Sequence, residues 1–204
     1  YMYTSGEAHG TGTSSTIKTN VDKFYTDKLS NYASKLDTNA GFCGDRSNLN
    51  GQSGVGTGNV TTYNKGYLRV VESAPTLTCE NASDYYTVAS ASSGNKKLSY
   101  PIGLITADEM MLAGHAGGVF DGTYNHVKTN NGSYLVTGNS FWTMTPSGGY
   151  PPFGGDWWDV DVFHDHGSGN FDDNNAHHTS GLRPLINIRS DAKITGKGTK
   201  TDPY

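Results

Sequence analysis

The stretch from Gly154 to His178 holds most of the side chains in this chain that could bind or react. It contains six Asp, four His and three Asn, but no Lys, Glu or Gln. Carboxylates and imidazoles can ligate metal ions or transfer protons, whereas amides and aromatic rings make recognition contacts. These residue types therefore allow three kinds of site, namely a metal centre, a catalytic site or a binding surface.

The residue bias within this stretch favours a binding surface. Asp, His and Asn share their first two codon bases with Glu, Gln and Lys, so a loop selected only for polarity should contain both sets. Here all thirteen such residues come from the first set and none from the second. Most of the other residues are Gly, Ser and Phe, which arise from an Asn codon by changes in its first two bases. The pattern indicates that adenines of Asn codons were mutated while the third base stayed fixed.

Ordinary loop chemistry is the competing explanation of the same bias. Gly tolerates positive φ, and the side chains of Asp, Asn and Ser bond to nearby backbone. This chemistry accounts for the Asp, Asn, Gly and Ser residues, but not for four His and two Phe without a single Lys. We therefore interpret the stretch as a deliberately varied recognition surface.

A metal-dependent hydrolase is a second hypothesis for the same residues. Its candidate ligands are His164, His166, His177 and His178, with nearby Asp residues as the base, and the His-x-His spacing suits neighbouring zinc ligands. Against it, all the candidates lie in one loop-rich stretch, whereas catalytic ligands need preorganised support. Adjacent histidines such as His177 and His178 would also point to opposite sides of a strand. His115, which follows a predicted helix, is expected to be structural or solvent-facing.

A calcium-dependent carbohydrate-binding lectin is a third hypothesis. Ca²⁺ takes roughly six to eight oxygen ligands, and clustered Asp and Asn residues can supply many of them. However, the chain lacks the triplets Glu-Pro-Asn, Gln-Pro-Asp and Trp-Asn-Asp that mark sugar-binding relatives. We predict no catalytic residues and no cofactor, and the sequence leaves a structural calcium ion open.

The composition of the whole chain limits the classes of protein to which it can belong. A chain of 204 residues with 27 Gly and 13 Tyr is typical of a loop-rich, short-stranded domain. The net charge of −4 argues against nucleic acid as a partner, because phosphate binding needs a basic patch. No apolar run approaches the length that spans a membrane.

Hydrophobic spacing predicts one helix, and a capping motif predicts a second. From Ser14 to Asp37, apolar residues recur at steps of three and four, which predicts an amphipathic helix begun by Ser or Thr caps. The run from Thr106 to Glu109 predicts a capping box at the start of a second helix, with Gly114 as its stop. Residues 41–100 are irregular, with brief apolar pieces such as residues 67–71.

Four short strands are predicted at residues 133–136, 141–144, 157–163 and 182–188. In the third, Trp158, Val160 and Val162 alternate onto a core-facing side. The other side carries Trp157, Asp159, Asp161 and Phe163, and we expect it to meet solvent or a ligand, although the same alternation suits a plain antiparallel strand with one wet side. Residues 164–178 are predicted to form the adjoining loop.

The two cysteines, Cys43 and Cys79, lie in polar, Gly-rich surroundings. Two free thiols remain an alternative to a bridge, but a long irregular region normally persists only if it is cross-linked. A disulfide between them would contribute roughly 4 kcal/mol on the chain-entropy model. It would also favour an oxidising location outside the cytoplasm.

Three motifs together resemble the C-terminal half of bacterial C-type-lectin-like surface proteins. They are Phe141–Ser147 (FWTMTPS), the pair Trp157-Trp158 within the varied stretch, and Gly181–Ile188 (GLRPLINI). Segments 39–46 and 100–109 also look similar to secreted relatives. The chain resembles in particular the variable proteins of diversity-generating retroelements, whose lectin fold is of the formylglycine-generating-enzyme kind. In that family a reverse transcriptase copies a template repeat, scrambles its adenines and writes the product into the end of the gene.

The resemblance implies an α+β, C-type-lectin-like fold with short twisted antiparallel strands, two helices and long irregular loops. Residues 1–38 would be a polar lead-in and an N-terminal helix, and residues 39–204 a ligand-binding domain with its variable region at about 150–178. Scaffold positions would be Trp157, Trp158, Val160, Val162 and the strand at 182–188. The implied ligand-binding positions are Tyr150, Phe153, Asp156, Asp159, Asp161, Phe163, His164, Asp165, His166, Asn170, Phe171, Asp172, Asp173, Asn174, Asn175, His177 and His178.

The expected role is that of a secreted or surface-displayed binding protein, bacterial or phage-encoded, and not an enzyme. Its partner would be a protein or glycan on another cell or surface. Because the carboxylates of the stretch have no Lys or Arg beside them, we expect that partner to be cationic or amide-rich. We expect no nucleic-acid partner and no insertion of this fragment into a membrane, although a preceding segment could anchor the protein.

Overall fold

The protein is described by a computed structural model. It covers residues 15–49, 61–88, 94–115, 133–150, 159–165, 167, 169, 171–197, 199, 201 and 202, with only the backbone for Tyr150, Asp159, Val160 and Phe171. The described part mixes helices with a curled antiparallel sheet, which makes the architecture α+β. No helix among these residues is long and apolar enough to cross a membrane.

The predicted N-terminal helix is present, but its helical type changes along its length. Helix α1 spans Thr16–Phe24, a π-helical segment follows at Tyr25–Leu29, and a 3₁₀ segment at Ser30–Lys35 completes it. The Ser15 hydroxyl caps α1 by accepting a hydrogen bond from the backbone N–H of Lys18 at 3.1 Å. The apolar spacing buries Val21 and Tyr25, and so fixes which side of this segment meets the core.

The main sheet is built around one long strand. Strand β5 (Phe141–Tyr150) pairs antiparallel with β6 (Asp159–Asp165), which pairs antiparallel with β7 (Phe171–Asn175). On its other side β5 pairs antiparallel with the short β2 (Thr62–Tyr63), and near its start it pairs in parallel with β8 (Gly181–Leu182). The β5–β6 register shifts on both sides of Pro146, because proline donates no ladder hydrogen bond and favours a bulge.

Two small sheets and one isolated bridge join distant parts of the chain. Strands β1 (Phe42–Cys43) and β3 (Tyr85–Tyr86) pair antiparallel, as do β4 (Gly103–Leu104) and β9 (Pro184–Leu185). A single bridge connects Leu36 with Ile188. Leu36, which directly follows the N-terminal helical segment, therefore lies beside Ile188.

The core divides into two hydrophobic clusters on opposite faces of the main sheet. One contains Phe141 and Phe163 and is covered by helix α2 (Lys65–Glu72) and helix α3 (Ala107–Leu112). The other contains Trp142 and Val162 and is covered by the N-terminal helical segment together with Ile102 and Leu104. Both faces of β5 and β6 are thus packed against protein.

Several predictions about the elements are wrong. Residues 133–136 form a turn closed by a hydrogen bond from the Val136 N–H to the Ser133 carbonyl at 3.2 Å, and not a strand. The strand predicted at 182–188 is divided into β8, β9 and the bridge at Ile188. Helix α2 was missed, because its apolar residues were interpreted only as a brief piece of an irregular region.

The second predicted helix is confirmed at both ends. The Thr106 hydroxyl accepts from the Glu109 N–H at 3.0 Å, while the Glu109 carboxylate accepts from the Thr106 N–H at 2.8 Å, which completes the capping box. At the other end Gly114 has φ +90°, and the N–H groups of Gly114 and His115 bond back to Met111 and Met110. This Schellman motif ends α3 and turns the chain so that His115 enters the core.

The irregular region at 41–100 is held by two devices. The predicted disulfide between Cys43 and Cys79 is confirmed. In addition, the guanidinium of Arg69 donates to both oxygens of Asp108 at 2.7 and 3.0 Å and to Asp45 at 2.8 Å. Burial alone would raise the pKa of Asp45, but hydrogen bonds from Ser47 and Arg69 hold it below its usual value. A cross-link and a buried ion cluster therefore hold the irregular segments of this region to α2 and to the short strands.

We expect the substitution Ser73→Gly to stabilise the protein by about 0.5–1 kcal/mol. Ser73 is exposed and ends α2 in the left-handed conformation at φ 54°, where a Cβ is unfavourable. The relief of this strain should exceed the entropy that glycine adds to the unfolded chain. Urea unfolding measures the change, with Ser73→Ala as the control because it keeps the Cβ. An equal gain in the alanine variant would show that backbone strain is not the cause.

Candidate functional site

We call residues 154–178 the biased stretch. Its described residues form the β6–β7 hairpin and a turn, where the sequence predicted a strand followed by a loop. In the register of β6 and β7, Asp161 lies opposite Asn175, Phe163 opposite Asp173 and Asp165 opposite Phe171. Because cross-strand partners share a face, these three pairs lie on one side of the sheet. The pairs of Val162 with Asn174 and His164 with Asp172 lie on the other side.

Strand β6 is buried on both faces, which corrects the expected exposure of four candidate positions. Asp161 and Phe163 were expected on a face that meets solvent, but the Phe163 side chain is 0% exposed and Asp161 is 9% exposed. His164 and Asp165 are also buried, at 4% and 0% exposed. The physical reason is that α2 and α3 cover the face that the alternation pattern assigned to solvent.

Asp165 and His115 form a buried pair beneath the hairpin. The Asp165 Oδ2 and His115 Nε2 atoms are 2.8 Å apart, and both side chains are 0% exposed. Asp165 also accepts a hydrogen bond from the N–H of Gly167. His115 was expected to be structural or solvent-facing, and its burial assigns it to the interior. This contact connects the end of β6 to the residue that follows α3.

Gly167 is held where only glycine fits. Its φ is +83°, and a Cβ at this position would lie 2.7 Å from the carbonyl carbon of Gly138. Its carbonyl also accepts a hydrogen bond from the Gly138 N–H at 3.1 Å. The start of the β6–β7 connection is therefore fixed by close backbone packing.

One face of β7 is bound to the scaffold. The buried Ser147 hydroxyl in β5 donates to the Asp173 carboxylate at 2.6 Å, and the Asn175 amide donates to the Asp161 carboxylate at 2.9 Å. The charge of Asp173 also acts on Tyr67. Burial is the largest cause that raises the pKa of Tyr67, followed by the charges of Tyr63 and Asp173. We call Asp173 and Asn175 the scaffold-bound pair. The hydrogen bond from Ser147 to Asp173 was not predicted, because Ser147 lies outside the biased stretch.

The other face of β7 and the following turn carry a polar strip, which we define as Asp172, Asn174, His177 and His178. The Nδ1 atom of His178 lies 2.6 Å from the Oδ1 atom of Asn174, and the rings of His177 and His178 are in edge contact at 4.5 Å between centroids. Both histidines are exposed. The argument that they would point to opposite sides of a strand is wrong, because they occupy a turn.

Two residues of the polar strip also bond to the β7 backbone. The Asp172 carboxylate accepts from the N–H of Asp173, and the Asn174 amide oxygen accepts from the N–H of Asn175, both at 2.9 Å. Among the strands that the structure describes, β7 lies at the end of the main sheet. Capping alternate amides in this way protects an edge against pairing with another strand. A partner would then contact this edge through its side chains.

Seven predicted positions lack described side chains. Phe153, Asp156, His166 and Asn170 lie outside the described residues, as do the predicted scaffold residues Trp157 and Trp158. For Tyr150, Asp159 and Phe171 the structure gives only their place in β5, β6 and β7. Across the described ranges, no three His, Cys, Asp or Glu side chains converge as metal ligands. His164 and Asp172 form a pair, with 3.8 Å between Nε2 and Oδ2.

Comparisons with known proteins do not assign this site. No protein-family model matches the chain, and neither the curated proteins nor the solved structures gave a match. The functional proposal therefore rests on the sequence bias together with the geometry of the hairpin. Strand β6 is packed on both faces, β7 carries half-buried Asp and Asn side chains, and the turn after it carries the exposed His177 and His178.

Proposed function

We propose that this protein binds a partner through the β6–β7 hairpin and the turn that follows it, and that this surface was diversified by adenine-directed mutation. The observation that carries the proposal is the bias of thirteen Asp, His and Asn residues against no Glu, Gln or Lys between Gly154 and His178. In this proposal the protein is a binding protein and not an enzyme. It is of the kind found in diversity-generating retroelements.

The arrangement of the hairpin supports a binding role. Half-buried Asp and Asn side chains stand on β7 and exposed His177 and His178 on the next turn, while β6 is buried between two hydrophobic clusters. Binding surfaces are most precise when they are carried by rigid elements. An antiparallel succession of β5, β6 and β7, with distant chain segments joined at Leu36 and Ile188, is compatible with the proposed lectin-like fold.

We propose that the protein acts outside the cytoplasm, in secreted or surface-displayed form. The support is the disulfide between Cys43 and Cys79, because such bonds persist in oxidising compartments. Glycine-rich, irregular segments that are cross-linked in this way are common in extracellular domains.

The partner is a protein surface rich in Lys, Arg or amide groups. No Lys or Arg occurs from residue 129 to residue 182, so the carboxylates of the hairpin dominate its local charge. Complementary charge directs encounter and orientation at such an interface. Glycans are disfavoured as partners because the sequence lacks the calcium-dependent sugar-binding triplets.

Ionic strength tests this choice of partner. Binding to an immobilised lysine-rich peptide should weaken several-fold from low salt to about 0.5 M NaCl, because the Debye length falls toward a few Å. A glutamate-rich peptide of the same length is the control and should not bind. Binding that ignores salt would contradict electrostatic attraction. Binding to a glycan array that is abolished by EDTA would instead support the calcium-dependent lectin.

The gene provides a separate test of the proposed origin. A near-copy of codons 150–178 should lie close to the gene and beside a reverse transcriptase, with adenines wherever the copy and the gene differ. Sibling sequences should differ at exposed positions of the hairpin while Arg183 stays constant, since its guanidinium stacks on Phe141 at 4.0 Å and donates to the Leu135 carbonyl at 2.6 Å. Differences scattered evenly along the chain would contradict adenine-directed diversification.

A further inference from the structure

We infer that Tyr134, which lies outside the biased stretch, is a fixed aromatic contact for the partner beside the diversified surface. This inference rests on the proposed binding function and extends its site to the turn at 133–136. The occupant is the same protein surface rich in Lys, Arg or amide groups. Because codon 134 precedes the biased stretch, copies whose hairpins differ would share this tyrosine.

The first support is the exposure of the Tyr134 side chain. It is 72% exposed, whereas its neighbours Ser133 and Leu135 are 7% and 6% exposed. A single exposed apolar residue is common on protein surfaces and needs no function by itself. Leu135, however, packs in the same hydrophobic cluster as Phe141 and Phe163. The residues on both sides of Tyr134 therefore anchor the turn in the protein and leave the ring in solvent.

The second support is the set of hydrogen bonds that hold this turn. The Ser133 hydroxyl accepts the Leu135 N–H at 3.3 Å, and the Leu135 carbonyl accepts a hydrogen bond from the Arg183 guanidinium at 2.6 Å. The same guanidinium donates to the Thr137 hydroxyl at 3.0 Å. A contact residue whose backbone is already fixed loses less entropy when a partner binds.

The third support is the position of the turn beside the β6–β7 connection. The Gly138 N–H donates at 3.1 Å to the carbonyl of Gly167, which belongs to the biased stretch. Tyr134 precedes Gly138 by four residues, so the two Cα atoms are at most about 14 Å apart. Burial lowers the pKa of Arg183, and the charges of Asp165 and Tyr134 partly offset that shift. Both groups therefore lie within electrostatic range of one guanidinium.

Tyr134 and the β6–β7 connection fit within one interface. A standard interface covers about 800 Å² on each partner, which corresponds to a disc roughly 30 Å across. Thr137, Gly138 and Asn139, which lie between Tyr134 and the contact with Gly167, are also exposed. A partner that touches the connection can therefore reach Tyr134 across an exposed segment.

A tyrosine ring suits the proposed partner. Tyrosine supplies a large contact area with few rotatable bonds, and it is enriched among the residues that dominate binding energy. Its ring face attracts ammonium and guanidinium groups, and the aliphatic stems of Lys and Arg pack against apolar surface. The diversified Asp, Asn and His residues would then set which partner is preferred, while Tyr134 contributes affinity to every complex.

Substitution of Tyr134 tests the inference against a matched tyrosine. Tyr134→Ala removes the ring and Tyr134→Phe keeps it. Tyr32→Ala removes a ring that is 60% exposed on the N-terminal helical segment, which covers the other face of the sheet. Each full-length variant is titrated against the immobilised lysine-rich peptide, and urea unfolding reports whether it is folded.

We expect Tyr134→Ala to weaken binding at least about tenfold, as truncation of a dominant contact does. Tyr134→Phe and Tyr32→Ala should stay within about threefold of the unmodified protein, because most surface residues contribute little to binding. The urea midpoint should not change in any of the three variants, since both rings are exposed.

Footprinting of the unmodified protein gives a second measurement that does not depend on the folding of a variant. Hydroxyl radicals should oxidise both Tyr134 and Tyr32 in the free protein, and bound peptide should protect only Tyr134 of the two. Equal oxidation of Tyr134 with and without peptide, or equal losses of affinity in the two alanine variants, would overturn the inference and leave the binding function intact. Failure of the unmodified protein to bind the peptide would overturn the proposed cationic partner and this inference with it.

Discussion

The substitution Asp165→Ala should lower the free energy of unfolding by roughly 3–5 kcal/mol, the range seen when one partner of a buried pair is removed. The Asp165 carboxylate is 0% exposed, lies 2.8 Å from the His115 imidazole and accepts the Gly167 N–H. Removing it leaves a buried imidazole without its neighbouring carboxylate and a buried amide without its acceptor. Urea unfolding of the purified protein, followed by tryptophan fluorescence, measures the change.

The matched control is Asp172→Ala, because it makes the same chemical change in the same hairpin. The Asp172 side chain is 25% exposed and lies 3.8 Å from the His164 imidazole, so its removal should cost less than that of the fully buried Asp165, about 1 kcal/mol. Equal losses in the two variants would contradict a special contribution of the buried Asp165 to stability. His115→Ala should resemble Asp165→Ala, and the double variant should cost less than the sum of the two losses, because both remove the same contact.

Removal of the disulfide with the double substitution Cys43→Ala and Cys79→Ala should cost about 4 kcal/mol on the chain-entropy model. The bond closes a loop with a sequence separation of 36, and the described part of that loop includes the short strand β2 and the eight-residue helix α2. Since small domains are stable by roughly 5–15 kcal/mol in total, a loss of this size should bring the protein near its unfolding limit. Thermal and urea unfolding measure the loss.

Reducing agent provides the control for this second substitution. It should destabilise the unmodified protein by a similar amount and leave the double alanine variant unchanged, because that variant has no bond to reduce. A loss below about 1 kcal/mol in both experiments would show that the ion cluster of Arg69, Asp45 and Asp108 holds residues 41–100 without the cross-link.

Features that depend on local sequence could be predicted. The N-terminal helical segment follows from its apolar spacing, and the capping box at Thr106 and Glu109 follows from two residues and their separation. The disulfide followed from the only two cysteines in the chain. In each case the residues that produce the structure carry a recognisable pattern by themselves.

Features that depend on tertiary packing could not be predicted. Strand β7 was missed because Asp and Asn have low strand propensity, and its register with β6 supplies the stabilisation that its residues lack. The burial of Phe163 was missed because strand alternation was assumed to leave one face wet, whereas helices pack on both faces. The contact of Asp165 with His115 joins residues 50 positions apart and leaves no local pattern.

The sequence therefore indicated a candidate region but could not resolve it into residues with different environments. The composition bias identified the stretch, and the structure places some members in the core, some against neighbouring strands and some at the exposed edge. Composition cannot separate these environments, because Asp165 and Asp172 have the same side chain.

The packing of the N-terminal helical segment has a consequence for quality control in the cell. Val21 and Tyr25 lie in the same cluster as Val162 and Ala176, which belong to the hairpin and its turn. A newly made copy whose hairpin cannot form would leave these apolar side chains uncovered, and such exposed surface invites proteolysis and aggregation. Defective copies would then be degraded before they accumulate.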